Sequence, residues 1–388
     1  MYPAPRFAVR GFGSCCWTME GVLAGLRVVE LSAFVAAPLG GATLAALGAD
    51  VIRVDPLGGG IDIGRWPLYE GRSLYWEGLN RGKRSVTIDL RSDRGAQLAA
   101  GLAADAGTVL TNLPQRGPLA FERLRERRPD VVMLSITGRA DGGAAVDYTV
   151  NAGLGFPWIT GPEGYDRPVN HVLPAWDVAT GFLAVAGILA ADRHRLLTGE
   201  GRLVRLSLSQ VAAVVAGHLG LLAEAQLVEE PRGRFGNHVY GTFGRDFETA
   251  DGRFLIVLAL TPRQWRSLAE ATALPFERIG ADLSDEGERW RHRHELCELL
   301  TPWVAERSLA EVAAAFERHQ VLWGPYRTFK EALADEPQTA QPHAAALDFG
   351  DAERPFAPPA PRLGADTDAI LEALGEDVDE LRASGVIA

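Results

Sequence analysis

The sequence predicts an α/β protein: a mostly parallel sheet built from βαβ units, with a smaller α+β unit inserted in the middle of the chain. Two observations predict it. Short β-branched runs alternate with Ala-rich helical stretches from Leu26 to Thr137, the pattern of crossover-linked parallel strands. A loop rich in Gly, Arg and aromatics, Pro231–Gly244, then precedes a hairpin pattern and three helical stretches of different character. The length of 388 residues allows two or three domains, and 47% hydrophobic with 23% charged residues is globular composition.

The elements follow in order. Leu26–Leu31 reads as a buried strand. Ala36–Leu47 reads as a small-residue helix stopped by Gly48, and Asp50–Val54 as a strand. Arg84–Leu90 is a β-branched strand, followed by a helix over Arg94–Ala106. Thr108–Leu113 is a strand, Phe121–Arg127 a helix and Val131–Thr137 a strand. In such sheets ligands sit beyond the carboxyl ends of the strands. That brings the loops Ser32–Pro38, Asp55–Gly64, Asn112–Arg116 and Gly138–Asp147 into view. After the Gly- and Pro-rich stretch Gly153–Pro168, a long helix starts near Ala175 and ends at Gly199. A strand, Leu203–Leu208, and a helix, Gln210–Leu227, come next. Asp246–Leu260 reads as a hairpin turning at Asp251-Gly252. Helices follow over Pro262–Ala273, Glu286–Ala305 and Leu309–His319. Prolines extend Pro355–Pro361, and a short helix near Asp366–Leu374 closes the chain. The expected division is an extension over 1–21, a large domain over 22–227, a linker and small domain over 228–325, and a linker with returning tail over 326–388.

Composition narrows the function classes. The formal net charge is −11, so nothing draws the whole chain to nucleic acid or an anionic membrane. Three cysteines, two of them the adjacent Cys15 and Cys16, form neither a disulfide framework nor a metal-ligand spacing. A reduced compartment, the cytoplasm, is expected. The longest apolar run, Val178–Ala191, is broken by Thr180 and is shorter than the roughly 20 residues a bilayer requires. The first twenty residues lack a long apolar core, so no signal peptide is expected; they read either as a floppy extension or as an over-long start, with Met19 as the alternative start.

Familiar fingerprints are missing. No G-x-G-x-x-G follows a strand, and there is no P-loop, G-x-S-x-G elbow or H-E-x-x-H. One carboxylate stands out. Asp177, in Val172-Leu-Pro-Ala-Trp-Asp-Val-Ala-Thr-Gly181, falls in the first turn of an otherwise apolar helix. It is either a cap stabilised by the helix dipole, worth about 0.5–2 kcal/mol, or an ionised carboxylate kept available as a nucleophile. Local pattern leaves both readings open.

The segments Leu26–Asp55, Ser73–Asp89, Gly187–Gly201 and the closing Ala360-Pro-Arg-Leu-Gly-Ala-Asp-Thr-Asp368 resemble the family III CoA-transferases. The resemblance covers residues 22 to 388 and places the family's aspartate nucleophile on Asp177. It implies a Rossmann-like large domain with a smaller α+β domain, and an interlocked homodimer. It also implies an acyl-CoA dicarboxylate as substrate, with CoA entering as part of that substrate and no permanently bound cofactor or metal. Ser32–Gly41, Gly138–Gly143, Val169–Asp177 and Tyr240–Thr249 are similar to the branch of the family that shifts CoA between the C1 and C4 carboxyls of mesaconyl-CoA.

The chemistry this resemblance implies is carboxylate exchange on a thioester through an aspartyl-CoA intermediate. The family's CoA-binding positions fall on Val35, Ala36, Ile88, Asp89, Leu90, Arg91, Asn112, Leu113, Pro114 and Arg116. Many members carry a basic residue after the acid that closes the second strand. Here Asp55 is followed by Pro56, so Arg53, Arg65 or Lys83 is expected to take the 3′-phosphate. Val35 replaces a glutamine of the formyl-CoA members, which makes the pocket more apolar. Arg139, Asn170 and His171 are expected to hold the free carboxylate, and Phe34 and Trp176 to wall the pocket. Backbone N–H groups in Gly233–Gly241 are expected to face the oxyanions. Two rivals share the family: an intermolecular acyl-CoA:carboxylate transferase and an α-methylacyl-CoA racemase. The racemase requires a histidine just before the aspartate matched by Asp147, and this chain has Val146 there. A non-catalytic nucleotide-binding or scaffolding protein is the rival from another class.

Overall fold

The computed structural model describes residues 21–230, 232–336, 346, 347, 349 and 358–388. The expected N-terminal extension, with Cys15, Cys16 and Met19, lies outside them, as do Pro231 and residues 337–345, 348 and 350–357 of the expected linker. The chain divides into two compact units. One holds the described residues of 1–144, 177–208 and 343–388; the other holds 145–176 and 209–342. The second unit therefore takes in two segments upstream of residue 228, the helical region after Ala144 and the helices after Leu208.

The first unit is built on six strands: β1 (Arg27–Leu31), β2 (Asp50–Asp55), β3 (Arg84–Thr87), β4 (Thr108–Thr111), β5 (Val132–Thr137) and β6 (Leu203–Ser207). All pairings are parallel, in the order β3-β2-β1-β4-β5-β6. This is the doubly wound arrangement, and its strand order reverses between β1 and β4. Val29 pairs with Ile52 on one side and Val109 on the other. All three are fully buried, as strands covered on both faces require. The helix Asp93–Ala106 starts at Ser92, whose Oγ accepts the Gly95 N–H, and stops at Gly107 in the left-handed region.

The strand expected over Arg84–Leu90 ends at Thr87. Beyond it, backbone bonds go elsewhere: Asp89 donates to Val386 O at 2.8 Å. The chain's end lies along β3. Asp366 Oδ2 accepts Ser85 N–H at 2.8 Å and Thr367 Oγ1 accepts Thr87 N–H at 3.1 Å. Leu381, Val386 and Ile387 complete the core around Ile88 and Leu98. The tail covers an edge strand that would otherwise expose unpaired backbone.

The helix Ala175–Thr198 is long and apolar enough to cross a membrane by length and composition. One face of it packs on the sheet: a Cβ at Gly187 would lie 2.8 Å from Leu134 Cδ1 of β5. Ala184, Ile188 and Ala191 are buried, while Phe182, Leu183, Leu196 and Leu197 are exposed.

In the second unit β7 (Phe243–Glu248), β8 (Phe254–Ala259) and β9 (Leu322–Pro325) form an antiparallel sheet in the order β9-β8-β7. The hairpin turns at Asp251-Gly252 as expected, with Gly252 at φ +68°. β9 escaped the sequence pattern because Gly324 and Pro325 both disfavour strands. An edge position tolerates them. The helix expected over Gln210–Leu227 breaks at Leu219-Gly220 into Leu208–His218 and Leu221–Leu227, bent by 67°. Gly220 sits at φ +77°, which ends the first helix. The helix expected over Glu286–Ala305 divides at His292. Of the segment read as a linker, Arg232–Gly244 packs within this unit. Arg234 donates to the carbonyls of Pro157, Trp158 and Tyr165, and the rings of Phe235, Tyr240 and Trp290 cluster.

Candidate active site

The loops leaving β1, β2, β3 and β4 all open at the carboxyl edge of the first unit's sheet, and the β1 and β4 loops meet at the switch point. Asn112, just after β4, ties them together. Its Oδ1 accepts the Ala33 N–H at 2.9 Å and its Nδ2 donates to Ala33 O at 2.6 Å. The expected CoA position Asn112 is thus occupied in shaping the β1 loop. Leu113 and Pro114 follow it, half-buried and exposed, and Arg116 is exposed.

Phe34 is held in an unusual state. It has φ +66°, a region that aromatic side chains rarely enter, and its ring is exposed. Asp62 Oδ1 accepts its N–H at 3.0 Å. Together with the Asn112 clamp on Ala33, this fixes the strained turn, the over-determination such strain requires. Val35 and Ala36 come next, both buried, and open the helix Ala36–Ala46.

Asp62 belongs to a buried charged network. Arg53 donates to both oxygens of Asp55, at 2.9 and 3.0 Å, to Asp62 Oδ2 at 2.9 Å and to Asn80 Oδ1 at 3.2 Å. The Trp76 ring lies 4.9 Å beneath its guanidinium. Lys83 Nζ meets Glu30 at 2.8 Å and donates to Pro38 O and Asn80 Oδ1. Ser32 donates to Glu30 at 2.6 Å. Burial pushes the Asp55 carboxyl up, against the pull of Arg53, and pushes Lys83 down to about 8, against the pull of Glu30. The expectation that Arg53 or Lys83 takes a CoA phosphate is corrected here. Both are buried and turned inward to carboxylates, so a phosphate would have to break those pairs.

Arg65 is different. Its guanidinium stacks 4.5 Å from the Tyr75 ring and 5.6 Å from the Phe34 ring. Its Nη1 is buried and has no hydrogen-bond acceptor among the described residues. A buried guanidinium donor without an acceptor fits an oxyanion. In the β3 loop, Ile88 is fully buried in the core and Leu90 packs against it. Asp89 Oδ1 accepts the Arg91 N–H, and Arg91 is exposed. Arg91 is thus the exposed cation of this loop.

Asp177 lies in the first turn of the helix Ala175–Thr198 and is half-buried. One turn later Gly181 crosses the start of the helix Ala36–Ala46. A Cβ at Gly181 would lie 2.8 Å from Ala36 O, and one at Gly40 would lie 3.2 Å from Gly181 O. Only glycines permit this approach, and it brings the turn of Asp177 toward the Phe34–Ala36 loop. Arg139, in the loop after β5, is exposed and paired with Asp141 at 3.0 Å.

The second unit carries Asn170, His171 and Trp176. Asn170 is exposed. His171 Nε2 faces Asp147 Oδ1 at 3.1 Å, and Trp176 Nε1 donates to Asn151 Oδ1 at 3.2 Å. The glycine segment expected at 233–241 borders a cavity of about 710 Å³ lined by Glu163, Phe235, His238 and Arg245, among others. Burial and the neighbouring Arg245 and His294 push His238 down to about 4, so it is neutral near pH 7.

Sequence reasoning missed the Glu30–Arg53–Asp62 network and treated Asp147 only as a landmark of its motif. The signal for the network was available: Glu30 is a charge inside the apolar run Val28-Val29-Glu30-Leu31, and such a charge is buried only with partners.

Comparison with known proteins adds the following. Residues 23–367 match the family model described as CoA-transferase family III. The chain is 49% identical, over 95% of its length and 98% of the relative's, to the 2-methylfumaryl-CoA isomerase of Chloroflexus aurantiacus. It is 32% identical to the succinate–glutarate CoA-transferase of Agrobacterium fabrum, over 81% of this chain and 82% of that one. Among solved structures, a CAIB/BAIF family protein from Brucella suis matches with a TM-score of 0.77 and 26% identity, over 92% of this chain and 100% of that one. A family match across most of the chain, on a doubly wound sheet of the same fold, means that the chain belongs to CoA-transferase family III.

Proposed function

We propose that this chain moves CoA between the C1 and C4 carboxyls of mesaconyl-CoA, the thioester of 2-methylfumarate, within one substrate molecule. The observation that carries this reading is the 49% identity, over nearly the full length of both chains, to a relative named for that isomerisation. Intermolecular transfer between an acyl-CoA and a free acid is the second reading, favoured by the 32% identical relative named for it.

In the proposed sequence, the Asp177 carboxylate attacks the thioester carbonyl and CoA thiolate leaves, giving a mixed anhydride. The thiolate then attacks the Asp177 carbonyl, giving an aspartyl-CoA thioester and free mesaconate. The other carboxylate of mesaconate attacks that thioester and expels the thiolate again. The thiolate finally attacks the new acyl carbonyl, and the Asp177 carboxylate is released. Atoms and charge balance at each step, and covalent catalysis divides one difficult exchange into easier ones. Arg65 holds a CoA phosphate, supported by its unmatched buried donor. Arg91 and Arg116 stand exposed on the same sheet edge and take the others. The strained Phe34 and buried Val35 line the acyl pocket, and Arg139, Asn170 and His171 hold the free carboxylate.

The test is label retention. Unlabelled mesaconyl-C1-CoA is incubated with excess labelled mesaconate, and the CoA esters are separated. Mesaconyl-C4-CoA carrying little label is the expected product. Rapid label uptake, or no turnover without an added acid, establishes the intermolecular reading instead.

We also propose a homodimer working in the cytoplasm. Phe182, Leu183, Leu196 and Leu197 stand exposed on a helix otherwise suited to a core, and a second copy of the chain would cover them. Interlocked interfaces are large and obligate. Light scattering at micromolar concentration is expected to give twice the chain mass, and a folded monomer there overturns the assignment.

A further inference from the structure

The first N–H groups of a helix lack partners within it. In the helix that carries Asp177, one of them is met from a distant part of the sequence: Asp147 Oδ2 accepts the Trp176 N–H at 2.6 Å. Asp147 is itself almost wholly buried, and its other oxygen faces His171 Nε2 at 3.1 Å. One turn further along the helix Asp147–Gly153, Asn151 receives the Trp176 indole N–H at 3.2 Å. The two residues stand at i and i+4, on one helix face. They grip Trp176 by its backbone and by its ring. The ring lies 5.1 Å from Phe156 and 6.4 Å from His171, and Tyr148 packs edge-on to the imidazole at 6.1 Å.

We infer that Asp147 is a positioning residue that couples two parts of the reaction centre. Through Trp176 it sets the first turn of the helix, and so the place of the adjoining Asp177. Through His171 it sets which edge of the imidazole is turned to substrate. A carboxylate accepts at both oxygens, so a single buried side chain serves both tasks. Nε2 carries the proton shared with Asp147, and Nδ1 is the nitrogen left for substrate. The inference rests on the reading of Asp177 and His171 given above and adds the group that aligns them.

The two tasks separate by substitution. In Asp147→Asn an amide oxygen still receives the Trp176 N–H, while the amide N–H₂ faces His171. In Asp147→Ala both contacts go. Kinetics of the full-length chain on mesaconyl-C1-CoA are expected to split accordingly. Asp147→Asn keeps kcat within about threefold and raises KM about tenfold. Asp147→Ala also loses about a hundredfold in kcat, the cost of a nucleophile displaced by about an ångström. The KM effect of Asp147→Asn is expected to disappear in a His171→Ala background, because both act through one ring. A merely structural role would lower the melting temperature and leave kcat and KM per folded enzyme unchanged. Fully multiplicative effects of Asp147→Asn and His171→Ala overturn the inference, as does unchanged kcat in Asp147→Ala. If the wild-type chain does not turn over mesaconyl-C1-CoA, the functional reading fails separately. ¹⁵N-histidine NMR then still decides the local claim. A protonated, hydrogen-bonded Nε2 signal, assigned by its loss in His171→Ala, is expected in the wild type and is lost in Asp147→Asn. Its absence in the wild type overturns the pairing.

Discussion

Asp177→Asn and Asp177→Ala are expected to fold as the wild type does and to lose about a thousandfold or more in turnover. The reason is chemical. An amide is isosteric with the carboxylate but cannot form the anhydride, and no other group replaces the bond proposed for Asp177. The structural cost is small because Asp177 is only half-buried and lies in the first turn of a 24-residue helix. The helix is held along its length by packing at Gly181, Ala184, Gly187 and Ile188. Loss of a first-turn carboxylate costs only about 0.3–1 kcal/mol. Turnover measured by chromatography of the CoA esters, beside thermal melts of the same samples, separates the two effects. Mass spectrometry of the wild type with substrate is expected to find an adduct on the peptide containing Asp177 and none in either variant. Activity above about a tenth of wild type in Asp177→Ala removes the residue from the nucleophile's role.

Arg53→Met is expected to be the most destabilising single change at the sheet's carboxyl edge, by about 3–5 kcal/mol. The side chain is 1% exposed and lies between Asp55 and Asp62, which are also buried. Methionine fills part of the volume and leaves two buried carboxylates facing each other without a cation. The pH dependence has a definite sign. Burial already pushes the Asp55 carboxyl up, and Arg53 is the cation that opposes this. Without Arg53 the folded-state value rises further above the unfolded one. The folded variant then binds a proton more readily than the unfolded chain, so its stability is greatest in acid and declines as pH rises through the raised value. The deficit against wild type is therefore expected to be smaller in mildly acidic than in mildly alkaline buffer, by denaturant melts at each pH. Because Asp62 also holds the N–H of Phe34, the variant is expected to lose affinity for CoA esters as well. A stability change below about 1 kcal/mol would mean that the network is not the support of the β1 loop.

The sequence by itself determined the parallel sheet, the hairpin at Asp251-Gly252, the helices Phe121–Arg127 and Leu309–His319 to the residue, and Asp177 in a helical first turn. These are local signals. Apolar period, capping residues and glycine stops act within one or two turns of chain, and Ser308 with Glu311 caps its helix without reference to the rest of the fold. Resemblance of motifs carried the reading from a carboxylate with two possible roles to a CoA-transferase nucleophile. Only the tertiary structure decided which cations face outward. Arg53, Arg65 and Lys83 are alike in sequence as basic residues near strand ends. Two are consumed by Glu30, Asp55 and Asp62, and one is stacked with an unmatched donor. It also decided that Arg232–Gly244 is packed structure, that Leu322–Pro325 is a strand, and that Asp147 reaches Trp176 across 29 positions. The physical reason is common to all of these. A charge, an edge strand or a helix's first N–H is satisfied by whatever partner the fold delivers. Asp62 lies 9 positions from Arg53 and Glu30 lies 53 positions from Lys83, beyond the reach of any local pattern.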